Sequence, residues 1–359
     1  MTYYAELSMR FFSLAPEIAR LQARLLEPPF RVISHVPDTG ALIEFDENGL
    51  PAIQEIAAAL DAPYYIWDKK RRVYAVTAMG IEPQKQKLGP GWKQKLLRGL
   101  RRGAEWSALD KRLCGSVVEP TLVPQGRVPL FWRYRRFMYI KPGRKYPFRY
   151  SLRSPRRSKK IPCRGYPLLV YLHGGAGLGV KGAEAVRDVA LLPQLLLKKC
   201  HVLVPQWGAG PKFNTDEFTQ GLWEAISRMP GVDRSRIYIA GTSLGGFGAI
   251  AECRRHPERY AACVPAVAAL WILKFDRETA DEYHCPLDGA AISLLAQTPM
   301  WLGWCRDEKD ENEPLYEALK VRNADVRRTY IKRFRHNLAG PVFWLTRGWG
   351  KWLFGKQKL

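Results

Sequence analysis

Downstream of residue 166 the chain alternates short β-prone runs with longer segments whose apolar positions recur every three or four residues. Residues 168–172, 201–205, 237–240, 261–267, 300–304 and 326–331 have the length and the aromatic or β-branched content of strands. Residues 183–197, 217–229, 246–256 and 313–321 carry helical spacing between them. Strands that alternate with helices predict an α/β fold: a doubly wound, mostly parallel sheet with its working groups at the C-terminal ends of the strands.

Upstream the pattern changes. Phe11, Phe12, Leu14, Ile18, Leu21, Leu25 and Leu26 recur at mostly helical spacing and stop at Pro28-Pro29, so residues 1–30 read as one amphipathic docking helix. Residues 31–34 and 41–45 read as strands around a turn at Pro37-Asp38-Thr39-Gly40. Residues 51–60 read as a helix with Pro51 in its first turn, and residues 64–67 and 72–76 as a hairpin. Residues 92–113 can form a helix with Trp92, Leu96, Leu97, Leu100, Trp106, Leu109 and Leu113 on or near one face, and Lys93, Lys95, Arg98, Arg101 and Arg102 mainly on the others. That pattern fits an interfacial basic helix and a packed helix with a charged outer face equally well. Residues 131–139 and 146–152 read as strands, with Tyr134, Phe137 and Tyr139 opposite Phe148 and Tyr150. We therefore divide the chain into a basic α+β N-terminal extension, 1–125, and an α/β domain, 126–359.

Charge sharpens this division. Of 57 Lys and Arg, 27 lie between Lys69 and Arg164, with only 4 of the 34 acids, and that window holds the whole net charge of +23. Such a block implies an anionic partner, an anionic membrane surface or an acidic polymer, with residues 69–164 as its contact. A nucleic-acid partner is disfavoured, because the aromatic residues interleaved with the arginines are better used as strand positions. The seven cysteines are odd in number and without C-x-x-C spacing, which favours a reducing compartment over a disulfide frame. Cys285 beside His284, near Asp281 and Glu282, has no second ligand cluster, so no metal is expected. No apolar run reaches the roughly 18 residues of a membrane span, and the first residues lack a signal-peptide pattern. The expected location is cytoplasmic or peripheral to the inner face of a membrane.

Candidate chemistry gathers at Gly241-Thr242-Ser243-Leu244-Gly245, which fits G-x-S-x-G between a predicted strand and a predicted helix. A serine on such a turn projects its oxygen above the sheet edge, and the new helix aims free N–H groups at it. A hydroxyl needs a base, and the base needs a carboxylate to orient it. In this kind of sheet the order is serine, acid, histidine. His336 follows the last predicted strand and is the candidate base. Asp307, Glu308 and Asp310 all follow the strand at 300–304; Asp307, nearest its end, is the first choice for the acid and Asp310 the alternative. His173-Gly174-Gly175 also follows a strand, so backbone N–H groups at Gly174 and Gly175, with that of Leu244, can form an oxyanion hole.

Four stretches bring a resemblance into view: residues 166–175, 232–248 and 256–262, and Arg335-His336-Asn337. Together they resemble the α/β-hydrolase superfamily, in its esterase and prolyl-oligopeptidase-like branch (predicted peptidase, phospholipase/carboxylesterase or polyhydroxyalkanoate depolymerase-like). The resemblance covers the chain from about residue 130 and implies a cofactor-free serine hydrolase of carboxylic esters, with an acyltransferase on the same triad or a non-catalytic binder of an anionic surface as the alternatives. The expected substrate is a small-molecule ester or, as the basic window favours, a lipid or glycan ester. The chain departs from the pattern before the acid loop, where Trp304-Cys305-Arg306 replaces the usual glycine, and residues 270–299 are long enough to form a lid.

Overall fold

A computed structural model describes the chain except residues 8–19, 22, 37–39, 61–62, 129–130, 145, 156–161, 176–181, 188, 190–191, 193–199, 207–212, 214, 271–286, 323 and 359; the side chains of residues 60, 86, 102–104, 106–107, 132 and 182–184 are likewise outside the description. The chain divides into two compact units, one of Met1–Leu109 and one that takes up Asp110–Leu273 and His284–Leu359.

The first unit is a six-stranded antiparallel sheet. Its strands are β1 (Tyr3–Leu7), β2 (Arg31–Val36), β3 (Gly40–Phe45), β4 (Tyr64–Asp68), β5 (Arg72–Thr77) and β6 (Gly80–Lys87), in the order β2-β3-β1-β4-β5-β6. Strand alternation sends Tyr3, Ala5, Leu7, Ile43 and Ile66 to one face, where Ile53 and Ile56 of the Leu50–Leu60 helix cover them. Tyr4, Leu42 and Trp67 face the other way and are covered by Trp92, Leu96, Leu97 and Leu100 of the Trp92–Ser116 helix. The apolar positions from Trp92 to Leu100 of this basic helix thus pack on the sheet. The helix expected over residues 1–30 is corrected at its start: Tyr3–Leu7 is a strand, because it pairs with both β3 and β4 in the middle of the sheet. Phe11 to Ile18 lie outside the described residues.

The second unit is a nine-stranded sheet. It comprises β7 (Thr121–Val128), β8 (Phe131–Ile140), β9 (Phe148–Arg153), β10 (Tyr166–Leu172), β11 (His201–Pro205), β12 (Val232–Thr242), β13 (Ala262–Ala266), β14 (Met300–Cys305) and β15 (Val326–Ile331). The order is β15-β14-β13-β12-β10-β11-β9-β8-β7. The six strands from β15 to β11 are parallel, and β9, β8 and β7 add an antiparallel edge. β10, β11 and β13 are buried along their whole length, as parallel strands covered on both faces must be. In the β8–β9 pair Phe137 lies opposite Tyr150 and Tyr139 opposite Phe148, as the aromatic pattern predicts. β7 crosses residue 125 and belongs wholly to this sheet. The helices Asp216–Ser227, Leu244–Arg255, Lys309–Val321, His336–Leu345 and Trp349–Phe354 accompany the parallel strands; the last two carry no strong periodic signal in the sequence. Most of residues 270–299, and Asp281, Glu282, His284 and Cys285 with them, lie outside the described residues; Gly289–Leu295 is a short helix. No described helix is long and apolar enough to cross a membrane.

Candidate active site

Two glycines make the turn after β12 possible. A Cβ at Gly241 would lie 2.2 Å from the Gly245 carbonyl oxygen, and one at Gly245 would lie 2.0 Å from that of Leu172. These obstacles are backbone, so no side-chain adjustment relieves them. Between the glycines Ser243 adopts φ 57° and ψ −115°, a conformation that costs energy for any residue with a Cβ. Backbone hydrogen bonds hold it there: Ser243 N–H donates to Ala266 O (2.9 Å), while the N–H groups of Phe247 and Ala269 donate to Ser243 O (3.0 and 3.1 Å). Leu244 then begins the helix, so its N–H is one of the first-turn donors that no helical carbonyl reaches. Gly174 packs against this turn, since a Cβ there would sit 3.6 Å from Ser243 Cβ and 3.2 Å from Thr242 O. Gly175, half-buried, follows it. The His173 ring is fully buried and donates from Nδ1 to Gly174 O (2.9 Å); burial lowers its pKa to about 4, so it is neutral near pH 7.

His336 is the first residue of the His336–Leu345 helix. That helix lies close on the sheet because Gly303 of β14 leaves room for the Phe343 ring, which a Cβ would meet at 2.3 Å. Its position brings His336 Nε2 to 2.8 Å from Ser243 Oγ. On the far side of the ring, Nδ1 meets Glu308 Oε1 at 2.5 Å. The acid against the imidazole is therefore Glu308, and the expectation of Asp307 or Asp310 is corrected. After β14 the chain makes a 3-10 turn, Arg306–Glu308, that turns Glu308 inward and leaves Asp307 exposed. Asp307 Oδ2 accepts from the backbone N–H of His336 (3.1 Å) and so caps the helix start, not the ring. Asp310 is exposed in the first turn of the Lys309–Val321 helix.

Glu308 is well supplied with donors. Its side chain is 3% exposed, its Oε2 accepts from Cys305 N–H (3.0 Å), and Asn312 Nδ2 donates to both Glu308 O and Ala268 O (3.1 Å each). Burial pushes the Glu308 carboxyl up, but bonds from His336 and from the Cys305 backbone and thiol outweigh it, and the net pKa is below the ordinary carboxylate value. The sequence does hold a signal for this residue. A Glu three positions after the last strand residue can reach back to that residue's N–H, as in a capping box, and Cys305 and Glu308 have that spacing. Cys305, Asp307 and Glu308 also form the one set of potential metal ligands among the described residues, with ligand atoms within 4.8 Å. Burial pushes the Cys305 thiol up to about 12, so it stays protonated, and Glu308 is engaged by His336; the set suits hydrogen bonding.

The site is thus a hydroxyl, an imidazole and a buried carboxylate in one line of hydrogen bonds, beside two glycine backbones and a helix start. No family model matches this sequence, and no curated protein matches it. Among solved structures, a thermostable esterase is similar, with a TM-score of 0.51, 21% identity, and coverage of 63% of this chain and 63% of that one. A fluorophosphonate-binding serine hydrolase of Staphylococcus aureus matches with a TM-score of 0.46, 13% identity, and coverage of 66% of this chain and 99% of that one. A ferulic acid esterase gives 0.46, 15%, and 66% and 99%. The match to the thermostable esterase spans under two thirds of either chain, and at 21% identity it speaks to the fold alone. By its mixed nine-stranded sheet and its likeness to that esterase, the chain has the α/β-hydrolase fold.

Proposed function

We propose that the protein is a serine esterase that works through an acyl-enzyme. The observation that carries this reading is the hydrogen-bonded line Ser243 Oγ–His336 Nε2–Glu308, 2.8 Å and 2.5 Å, at the C-terminal edge of a parallel sheet. Glu308 fixes the proton on His336 Nδ1, which leaves Nε2 free to accept the proton of Ser243. As Oγ attacks the ester carbonyl, Nε2 takes that proton, and the N–H groups of Gly174, Gly175 and Leu244 stabilise the tetrahedral oxyanion. The imidazolium returns the proton to the departing alkoxide, leaving the acyl group on Ser243. Water, deprotonated by Nε2, then releases the carboxylic acid. Glu308 takes the orienting role assigned from sequence to Asp307 or Asp310; Asp307 instead steadies the backbone of His336.

The substrate side of the reading is an acyl ester on an anionic carrier, such as a phospholipid or an acidic glycan. It is supported by the basic window of residues 69–164 and by exposed Lys332, Arg333 and Arg335 beside His336. Among the described residues Cys114, Cys163, Cys200, Cys253, Cys263 and Cys305 are free thiols, which favours a cytoplasmic location, at the inner face of a membrane for a lipid ester.

The test is a series of p-nitrophenyl esters of rising acyl length, with wild type and Ser243→Ala compared at equal concentration. Turnover by wild type and its loss in the variant are expected, together with fluorophosphonate labelling at Ser243 only in wild type. Equal turnover by both proteins would remove the esterase reading.

A further inference from the structure

We infer that Thr242, with Trp344 and Tyr171, positions His336 on Ser243, an inference that rests on the esterase reading above. His336, Gly340 and Trp344 follow one another at intervals of four, so they form one stripe along the His336–Leu345 helix. Each meets the end of β12. His336 Nε2 reaches Ser243 Oγ at 2.8 Å. A Cβ at Gly340 would lie 2.7 Å from Thr242 Cγ2, so only glycine lets the helix approach this closely. Trp344 Nε1–H donates to Thr242 Oγ1 at 2.8 Å. At 1.5 Å per residue, the stripe from His336 to Trp344 is about 12 Å long. A hydrogen bond at one end and the Ser243–His336 bond at the other therefore fix both the rotation and the sliding of the helix.

Thr242 is itself anchored. Its Oγ1 lies 2.8 Å from Tyr171 OH, on the neighbouring strand β10, and the Tyr171 and Trp344 rings pack edge to face at 5.7 Å. Tyr171 is fully buried, Trp344 is 1% exposed and Thr242 is 9% exposed. In so dry a place, removing the hydroxyl leaves the indole N–H without its partner, and the helix shifts to find another. Neighbouring backbone is too constrained to follow: Val267, at φ 43°, stands beside Gly340, and its N–H donates to Gly303 O (2.6 Å). Thr242 touches no reacting atom, so its effect is on geometry. A shift of about 1 Å at a catalytic base costs roughly 100-fold in rate.

The experiment measures kcat and KM on a p-nitrophenyl ester for wild type, Thr242→Val, Thr242→Ser and Trp344→Phe, well below each protein's melting temperature. Valine keeps the shape and removes the oxygen. Its kcat is expected to fall by roughly 10- to 100-fold with KM within about twofold. Serine keeps the oxygen and is expected to stay within about threefold of wild type in kcat. Trp344→Phe removes the donor and is expected to lose kcat in the same way. Wild-type kcat in Thr242→Val, or equal losses in the valine and serine variants, would overturn the positioning role while leaving the esterase reading intact. Should Thr242→Val fail to fold, undiminished kcat in Trp344→Phe overturns it. A wild type that neither turns over esters nor takes a fluorophosphonate at Ser243 would sink the esterase reading, and this role with it.

Discussion

Asp307 and Glu308 are chain neighbours with opposite environments. The first is exposed and holds a backbone N–H; the second is buried and holds an imidazole. Substitution should separate Glu308 from Asp310, the exposed acid two residues on. Glu308→Gln should lower kcat by about 10²- to 10⁴-fold, because an amide at Nδ1 favours the wrong tautomer of His336. Asp310→Asn should leave kcat within about twofold, and steady-state kinetics on one ester checks both. Glu308 also predicts a pH effect on stability. Its folded-state pKa is lowered, so it contributes stability above the carboxylate's ordinary pKa, 4.5, and that contribution is lost as pH falls through the lower folded value. Urea unfolding of wild type and Glu308→Gln below pH 4.5 should converge as the medium becomes more acid.

At the scale of elements, the site depends on how closely a helix and a turn approach the sheet. Gly303→Ala forces a Cβ to 2.3 Å from the Phe343 ring, and Gly340→Ala forces one to 2.7 Å from Thr242 Cγ2. Each should cost about 1–3 kcal/mol of stability and reduce kcat, since both lift the helix that carries His336. Gly245→Ala should be more severe, because its Cβ meets the backbone oxygen of Leu172 at 2.0 Å. We expect it not to accumulate as folded protein; thermal denaturation and circular dichroism of the three variants give the ranking. Distance along the chain explains what was legible here. The G-x-S-x-G turn is local, and its glycines appear in the sequence at fixed offsets. The fit of Gly303 to Phe343, forty residues later, has no local mark.

At the scale of the whole molecule, one buried carboxyl among the described residues lies outside the site and has a raised pKa. Glu252, in the last turn of the Leu244–Arg255 helix, is fully buried and accepts from Thr219 Oγ1 and from Tyr260 OH (2.9 Å). Burial raises its pKa from 4.5 to about 7, against the lowering effect of those two bonds and of Arg255 and Arg259. The folded state thus keeps a proton that the unfolded chain releases near pH 4.5. Stability should decline as pH rises from about 4.5 to 7, by up to about 3 kcal/mol, and level off above. Glu252→Gln should flatten that slope, and unfolding midpoints between pH 4 and 8 test it. Should the slope persist in the variant, another group controls it.

Among the described residues, most of the alternation of strands and helices after residue 166, the serine turn, the Gly174-Gly175 step after a strand and the position of the histidine were written in the sequence, because each rests on local periodicity or fixed spacing. The hairpins of the first unit and the facing aromatics of β8 and β9 were legible for the same reason. Tertiary structure decided three things, the last with only a local hint from the spacing of Cys305 and Glu308. Tyr3–Leu7 became a central strand because partners on both sides claim its backbone. The basic helix packed Trp92, Leu96, Leu97 and Leu100 on a sheet because Tyr4, Leu42 and Trp67 offer it a dry face. Glu308 rather than Asp307 met the imidazole because a single turn of 3-10 helix buries one and exposes the other, and only the packing of the His336–Leu345 helix brings the ring to the buried one.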